Sequence, residues 1–448
     1  MTERPGAIPP SPPRDTGRPP AGGRARAALP LACVAALCVL AYLPAFDNGF
    51  ISDDFIMLDW VEQWRSDFTF LFRISPDVFR IPTYVVLRAF LWAFGYHVPP
   101  LYAFVILVHI ANCFLLYRFC RLRAGGGQAA ALAALLFAAS QDGQEAIMWL
   151  AAMTYALAGF FILAALVLWA KQRFVAAALV FLAGLFTSES VLVLLLLIPL
   201  SDAWEAGKLR WRARYLLLLP PLLIFAAVFF GTLPENYMVA ERAYALGWHG
   251  GIVFARSMFR LAFPGVVFAV AVIWLAEHRV AFPALARGAA WSCITLLPFI
   301  FLTYQYHVPS RHAYVPAMGS ALALAGLLAA CGRRGLRHAV AAVLVIANIS
   351  YIWLRKDAQF EERARPTTLL LEELKSRSPE RIVIAGFPLN PWMAKAAARH
   401  VPGWDPRMIE VDAPEDSCPA CPRLWWNPQR KEYEGDLSGR LRAPRRPR

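Results

Sequence analysis

Long apolar blocks separated by short basic connectors constrain this chain more than any other feature. A bilayer-crossing helix needs about 20 mostly apolar residues. Eleven stretches approach that length, at 29–46, 101–118, 128–141, 146–169, 174–187, 190–202, 213–231, 251–275, 288–304, 314–331 and 338–354. The third, fifth and sixth are short enough to merge, re-enter or thicken at their ends. Composition agrees: 58% of the 448 residues are hydrophobic and 17% charged, where a soluble domain carries about 25% charge. An ordinary soluble enzyme, a disordered chain and a disulfide-rich secreted module are thereby excluded. The net charge of +14 accompanies no basic amphipathic module with interleaved aromatics, so nucleic acid is not an expected partner. The expected fold is an α-helical polytopic membrane protein of about 11 transmembrane helices.

Lys and Arg in short loops set the orientation. Arg118/Arg121/Arg123, Lys171/Arg173, Lys208/Arg210/Arg212/Arg214, Arg279/Arg287 and Arg333/Arg334/Arg337 occupy alternate connectors. The intervening connectors, such as Ser140–Glu145 and Thr187–Ser190, are nearly free of them. The N-terminal tail, with Arg4, Arg14, Arg18, Arg24 and Arg26, belongs with the basic loops on the cytoplasmic side. The first span lacks a small-residue cleavage site before Phe46-Asp47-Asn48 and reads as a retained anchor.

Three regions follow. Residues 1–28, rich in Pro, Gly and Arg, are expected to be a disordered cytoplasmic tail. Residues 29–354 form the transmembrane unit, with a first outer loop at 47–100. An odd span count puts 355–448 outside as a small soluble α/β domain, with strands at Arg381–Phe387 and Arg407–Val411 and a short helix at 391–400. The basic Arg440–Arg448 end fits either side. Six of the cysteines lie in or beside membrane helices, where small polarizable residues pack well. Cys418-Pro-Ala-Cys421 is a CxxC without a second ligand pair, so a local disulfide is the better reading than a zinc site. Gly125–Gly127 follows no strand and reads as a flexible turn, not a phosphate cradle.

Ionisable groups in or beside apolar blocks are costly and usually serve a site. On the topology above, four such features emerge on one face. Asp53-Asp54, at the mouth of the first span, can supply a general base or a metal ligand; helix capping explains them equally well. The same loop carries aromatic-rich amphipathic stretches, Trp60–Phe72 and Phe79–Phe94, suited to the membrane interface, with Arg80 and Arg88 placed to meet phosphates. Gln141-Asp142-Gly-Gln-Glu145 lies between the third and fourth spans, and Thr187-Ser188-Glu189-Ser190 sets an acid in an apolar run. Tyr304-Gln-Tyr-His307-Val-Pro-Ser-Arg311-His312-Ala-Tyr314 concentrates donors suited to a phosphate. His109 with Asn112 one turn on reads as a helix–helix hydrogen-bonding pair.

In order and context these motifs resemble the GT-C superfamily of membrane glycosyltransferases, protein O-mannosyltransferase-like members above all. Phe50-Ile-Ser-Asp53-Asp54, Phe79-Arg80-Ile-Pro82, Tyr102…His109, Gln144-Glu145-Ala-Ile-Met-Trp149, Ser188-Glu189 and Ser310-Arg311-His312-Ala-Tyr314-Val-Pro316 carry the resemblance. It covers roughly residues 30–330. His312 stands where an aromatic is more usual, Lys is absent before Glu189, and no tetratricopeptide array follows.

The resemblance implies a polyprenyl-phosphate-linked sugar donor held among membrane lipids, with its sugar on the outer face. The acceptor is a hydroxyl of a glycan, lipid or protein. It implies Asp53 as catalytic base and Asp54 as its orienter or a metal ligand. Arg80, Glu145, Glu189, Arg311, His312 and Tyr314 are implied as substrate-binding residues. Direct displacement predicts inversion at the anomeric carbon. A divalent metal, Mg²⁺ or Mn²⁺, is left open. A transporter or flippase of lipid-linked sugars is the competing reading, but the internal repeats it should show are missing. Ala-, Arg- and Pro-rich usage points to a bacterial inner membrane, with the site facing the periplasm.

Overall fold

A computed structural model describes residues 21–66, 69, 80–123, 126–232, 242–276, 282–303, 305–414 and 417–436. Arg4, Arg14, Arg18, Phe79, Arg279, Tyr304, Gly125 and Arg440–Arg448 lie outside the described residues, as do residues 1–20 of the tail. The chain is a helical bundle followed by a small mixed sheet. Among the described residues five helices are long and apolar enough to cross a membrane: Pro99–Arg123, Leu150–Ala170, Ala213–Gly231, Ser310–Ala330 and the first part of Arg334–Ser376. Shorter apolar helices pack with them. This is an integral, multi-pass membrane protein.

Helix α1 (Ala21–Tyr42) starts inside the stretch expected to be disordered. Two helices lie in the loop at 47–100 that follows the first expected span, α2 (Asp54–Ser66) and α3 (Ile81–Phe94). Then come α4 (Pro99–Arg123), α5 (Gly127–Ala138), α6 (Met153–Ala170), α7 (Phe174–Leu185), α8 (Leu194–Ala206) and α9 (Leu219–Thr232). Helices α10 (Trp248–Ala276), α11 (Phe282–Leu296), α12 (Ser310–Ala330) and α13 (Arg334–Tyr351) complete the bundle. The third and fifth expected spans depart from the eleven-span reading. Helix α5 and helix α7 have 12 residues each, about 18 Å at 1.5 Å per residue, well short of a hydrocarbon core about 30 Å thick. Beyond α5 the chain continues as short 3₁₀ and α turns through 141–152, and Gly143, Ala146, Ile147, Met148 and Leu150 of these turns are all buried in protein.

Helices α11 and α12 approach each other closely. A Cβ on Gly319 would stand 2.6 Å from the Gly288 carbonyl oxygen, so small residues permit the approach. Pro316 removes an N–H from the interior of α12. Helix α11 braces that region: Trp291 Nε1 donates to the Val315 carbonyl at 2.9 Å and Ser292 Oγ to the Pro316 carbonyl at 2.8 Å.

At one end of the bundle Asp202, buried in α8, gathers two basic connectors. It accepts from Arg123 at 3.0 Å, Arg214 at 2.6 Å and Tyr215 at 3.0 Å. Glu205 pairs with Arg123 as well. The basic connectors at 118–123 and 208–214 therefore share one end, as the alternation of Lys and Arg requires.

Helix α13 does not stop at 354. It passes through a π-helical turn, Ile352–Lys356, into α14 (Asp357–Ser376), which enters the appendage. There β1 (Ile382–Ala385), α15 (Pro391–Ala398), β2 (Ile409–Val411), β3 (Arg423–Asn427) and β4 (Glu432–Asp436) form a sheet of order β2-β1-β3-β4. β1 runs parallel to both β2 and β3, and β3–β4 is an antiparallel hairpin. Leu370, Leu374, Ile382, Ile384, Trp404 and Leu424 fill its own core. Cys418 and Cys421 form a disulfide. The domain docks onto the first outer loop: Arg399 pairs with Asp59 at 2.7 Å, and the His400 ring lies 6.2 Å from Phe55 and 4.8 Å from Tyr96.

Candidate active site

Two irregular turns, one after α1 and one after α5, are laced together by side chains. Asn48 Nδ2 donates to the Met148 carbonyl at 3.0 Å, and Trp149 Nε1 to the Ile51 carbonyl at 3.1 Å. Tyr102 donates to the Gly49 and Met148 carbonyls, each at 3.3 Å. Asp54 closes the seam. One of its oxygens reaches back to Ile51 N–H at 2.7 Å, as acidic residues in a first helical turn do, and the other accepts Ala151 N–H at 2.5 Å. Burial pushes its carboxyl up to about 8; the two N–H groups and Arg363 oppose that rise, and Asp53 adds to it.

Asp53 is half-buried and makes no side-chain hydrogen bond or ion pair with a described residue. Of the adjacent carboxylates, one is committed to the backbone and one is disengaged.

Around the far side of Trp149 sit Glu145, Arg311 and Arg363. Glu145 Oε2 accepts Arg311 N–H at 3.1 Å and lies 3.6 Å from its Nη1; Oε1 lies 3.6 Å from Arg363 Nη1. Both guanidinium groups face the Trp149 ring, at 4.4 Å for Arg363 and 5.3 Å for Arg311, a cation–π geometry. Two cations thus share one carboxylate. Glu145 and Arg363, with Lys356 and Phe360, line a cavity of about 210 Å³.

A second cavity, of about 350 Å³, opens beside Asp142, between α5, α10, α12 and α13. Leu136, Leu261, Leu324 and Leu344 wall it, and Asp142, Arg260, Asn348 and Tyr351 form its polar part. Burial raises the Asp142 carboxyl to about 6, against the opposing charge of Arg260. Arg260 donates to the Val308 carbonyl at 3.2 Å and to Ser310 Oγ at 2.5 Å, directly before Arg311.

The expected site residues divide. Glu145 and Arg311 come together, and Arg363 beside them lies within electrostatic range of Asp54, the chain neighbour of Asp53. His312 lies next to them, stacked on Phe299 with ring centroids 4.3 Å apart, its Nε2 2.8 Å from the Tyr155 hydroxyl. Arg80 is within electrostatic range of His312, and Ile81 N–H binds the Phe186 carbonyl at 2.9 Å, which brings Arg80 beside the Thr187–Ser190 segment. Glu189 is half-buried and contacts none of the Glu145 cluster. Tyr314 faces away from it. Its hydroxyl is buried against His109 Nδ1 at 2.8 Å and Asn112 Nδ2 at 2.9 Å.

Arg363 and Arg260 were not among the expected residues. Arg260 carried a legible signal, a charge inside an apolar run. Arg363 carried none, because its segment reads as appendage.

No family profile matches the sequence, and no curated protein matches it. Solved structures do resemble it. ArnT from Cupriavidus metallidurans, bound to undecaprenyl phosphate, superposes with a TM-score of 0.53 at 14% identity, over 92% of this chain and 94% of that one. The Archaeoglobus fulgidus oligosaccharyltransferase tethered to an acceptor peptide gives a TM-score of 0.45 at 13% identity, over 86% of this chain and 64% of that one. The fold of the chain is that of ArnT.

Proposed function

We propose that this protein is a GT-C membrane glycosyltransferase that moves a sugar from a polyprenyl-phosphate-linked donor to an acceptor hydroxyl of a glycan, lipid or protein. The bacterial periplasm is the side on which it acts. One observation carries the reading: two guanidinium groups share the single carboxylate of Glu145, and one of them, Arg363, lies within electrostatic range of Asp54, the chain neighbour of the disengaged Asp53. The ArnT-like fold, in a protein that binds undecaprenyl phosphate, supports the donor class.

The chemistry follows from the placement. Asp53 takes the proton of the acceptor hydroxyl, whose oxygen attacks the anomeric carbon. The bond from that carbon to the phosphate oxygen breaks, and the phosphate leaves with the electron pair, inverting the centre. Arg311 and Arg363 stabilise the departing charge, with His312 and Arg80 on the opposite flank. The apolar cavity under Asp142 and Arg260 takes the first isoprenoid units, so the phosphate meets Arg260 and Arg311 at its mouth.

Mg²⁺ and Mn²⁺ prefer several oxygen ligands. Asp54 spends both oxygens on backbone N–H groups and Glu145 faces two arginines, which leaves one free carboxylate in the cluster. That set does not fit such an ion, and no step needs one.

The test is transfer from a labelled polyprenyl-phosphate sugar by purified protein in lipid. Asp53→Asn should abolish transfer with donor binding retained; unchanged turnover would refute the assignment.

A further inference from the structure

Within the bundle, away from the charged cluster, three side chains converge. Cys38 of α1 and Cys113 and His109 of α4 are each at most 1% exposed. Cys38 Sγ and Cys113 Sγ are 3.7 Å apart, Cys113 Sγ is 3.9 Å from His109 Nε2, and all three ligand atoms lie within 4.8 Å of one another. We propose that Cys38, His109 and Cys113 form a structural zinc site that clamps α1 to α4.

The distances fit the ion. Tetrahedral zinc with Zn–S near 2.3 Å and Zn–N near 2.0–2.1 Å sets S–S edges of about 3.8 Å and S–N edges of about 3.6 Å. Two of the three edges already match, and the third, Cys38 Sγ to His109 Nε2, lies within 4.8 Å and closes by up to about 1.2 Å around the ion. Charge selects the metal. Binding releases both thiol protons, and two thiolates neutralise a divalent cation, so nothing uncompensated is buried in the bundle. A monovalent copper ion on the same two thiolates would leave a net negative charge. The Ala138 carbonyl, 3.2 Å from Nε2, accepts its N–H, a hydrogen bond that the ion replaces on binding.

The surroundings also orient the imidazole. A histidine that binds metal through Nε2 carries its proton on Nδ1 and donates it to an outer partner. Here Nδ1 lies 2.8 Å from the Tyr314 hydroxyl, which Asn112 holds at 2.9 Å. Tyr314 belongs to α12, the helix that begins with Arg311, while α1 leads into the loop carrying Asp53. The clamp thus fixes the two helices that frame the cluster, whatever reaction occurs there.

The test is metal analysis of the full chain, purified in detergent without a polyhistidine tag from zinc-supplemented cells. One zinc per chain is expected, lost in Cys38→Ser and Cys113→Ser but kept in Cys120→Ser, whose thiol is buried elsewhere. Tyr314→Phe should weaken zinc affinity about tenfold or more. Should the serine variants not fold, cobalt exchanged into the wild type gives an independent reading, since two thiolate ligands produce sulfur-to-cobalt charge transfer. Wild type without zinc, zinc retained in the Cys38→Ser/Cys113→Ser double variant, or a Cys38–Cys113 disulfide in unreduced protein would each overturn the proposal.

Discussion

Asp54→Asn separates positioning from chemistry. The carboxyl accepts Ile51 N–H at 2.7 Å and Ala151 N–H at 2.5 Å, one on each oxygen. The hydroxyl oxygen of the protonated acid still accepts an N–H, whereas an amide nitrogen does not, so either rotamer of asparagine turns an NH₂ toward a buried N–H. One hydrogen bond is lost and one donor is left unsatisfied, a cost of about 1–3 kcal/mol. Because those two bonds hold the turn after α1 to the turn after α5, the disengaged Asp53 also shifts. A displacement near 1 Å costs on the order of 100-fold in turnover. Asp53→Asn, by contrast, removes no described contact, so stability should change by less than about 0.5 kcal/mol while transfer falls by about 10²–10⁴-fold. Thermal unfolding in lipid nanodiscs and turnover of labelled donor read the two effects separately. Asp54→Asn with wild-type midpoint and turnover would refute the clasp, and Asp53→Asn that unfolds as early as Asp54→Asn would refute the division of labour.

The same residue fixes a pH dependence. In the fold its carboxyl is pushed up to about 8 from the ordinary carboxylate value of 3.8, so between these values the folded state holds the proton that the unfolded chain has lost. This contribution is fully present below the unfolded value and is lost as pH rises through about 8. Asp54→Asn should flatten that part of the stability profile.

Arg363→Gln should raise the donor KM or lower turnover by about 10–100-fold, as expected for loss of a charge-assisted contact to phosphate, with Arg311→Gln behaving alike; an effect on stability alone would remove Arg363 from the site. Asp202→Ala removes the shared acceptor of Arg123, Arg214 and Tyr215 but leaves Glu205 paired with Arg123, and should cost about 1–3 kcal/mol in thermal or denaturant unfolding. His400 is pushed down to about 4 by burial, with Arg399 adding. Its contribution is therefore present above about 6.5 and lost as pH falls toward 4. His400→Phe should remove this acid-side loss, read as the midpoint of unfolding between pH 7 and 4.5.

How much was legible depended on whether the information was local. Apolar blocks and basic connectors are local, so the membrane class and the shared end of Arg123 and Arg214 are legible in the sequence itself. Asp54, Glu145 and Arg311 stand at the outer ends of their elements, and alternation of the connectors was enough to bring them to one side. Depth was not legible. Tyr314 follows Arg311 by three residues, about 4.5 Å further along the helix, and that step carries it from the charged cluster to His109 and Asn112. Arg363 required knowing that the last membrane helix continues through a π turn at Ile352–Lys356 instead of ending at 354, which its hydrophobicity does not reveal. The acidic pair shows why capping and catalysis were equally good readings of Asp53-Asp54. Both describe what a carboxylate can do at a helix start, and two are present: Asp54 satisfies the backbone, and its neighbour is the one proposed to take the proton.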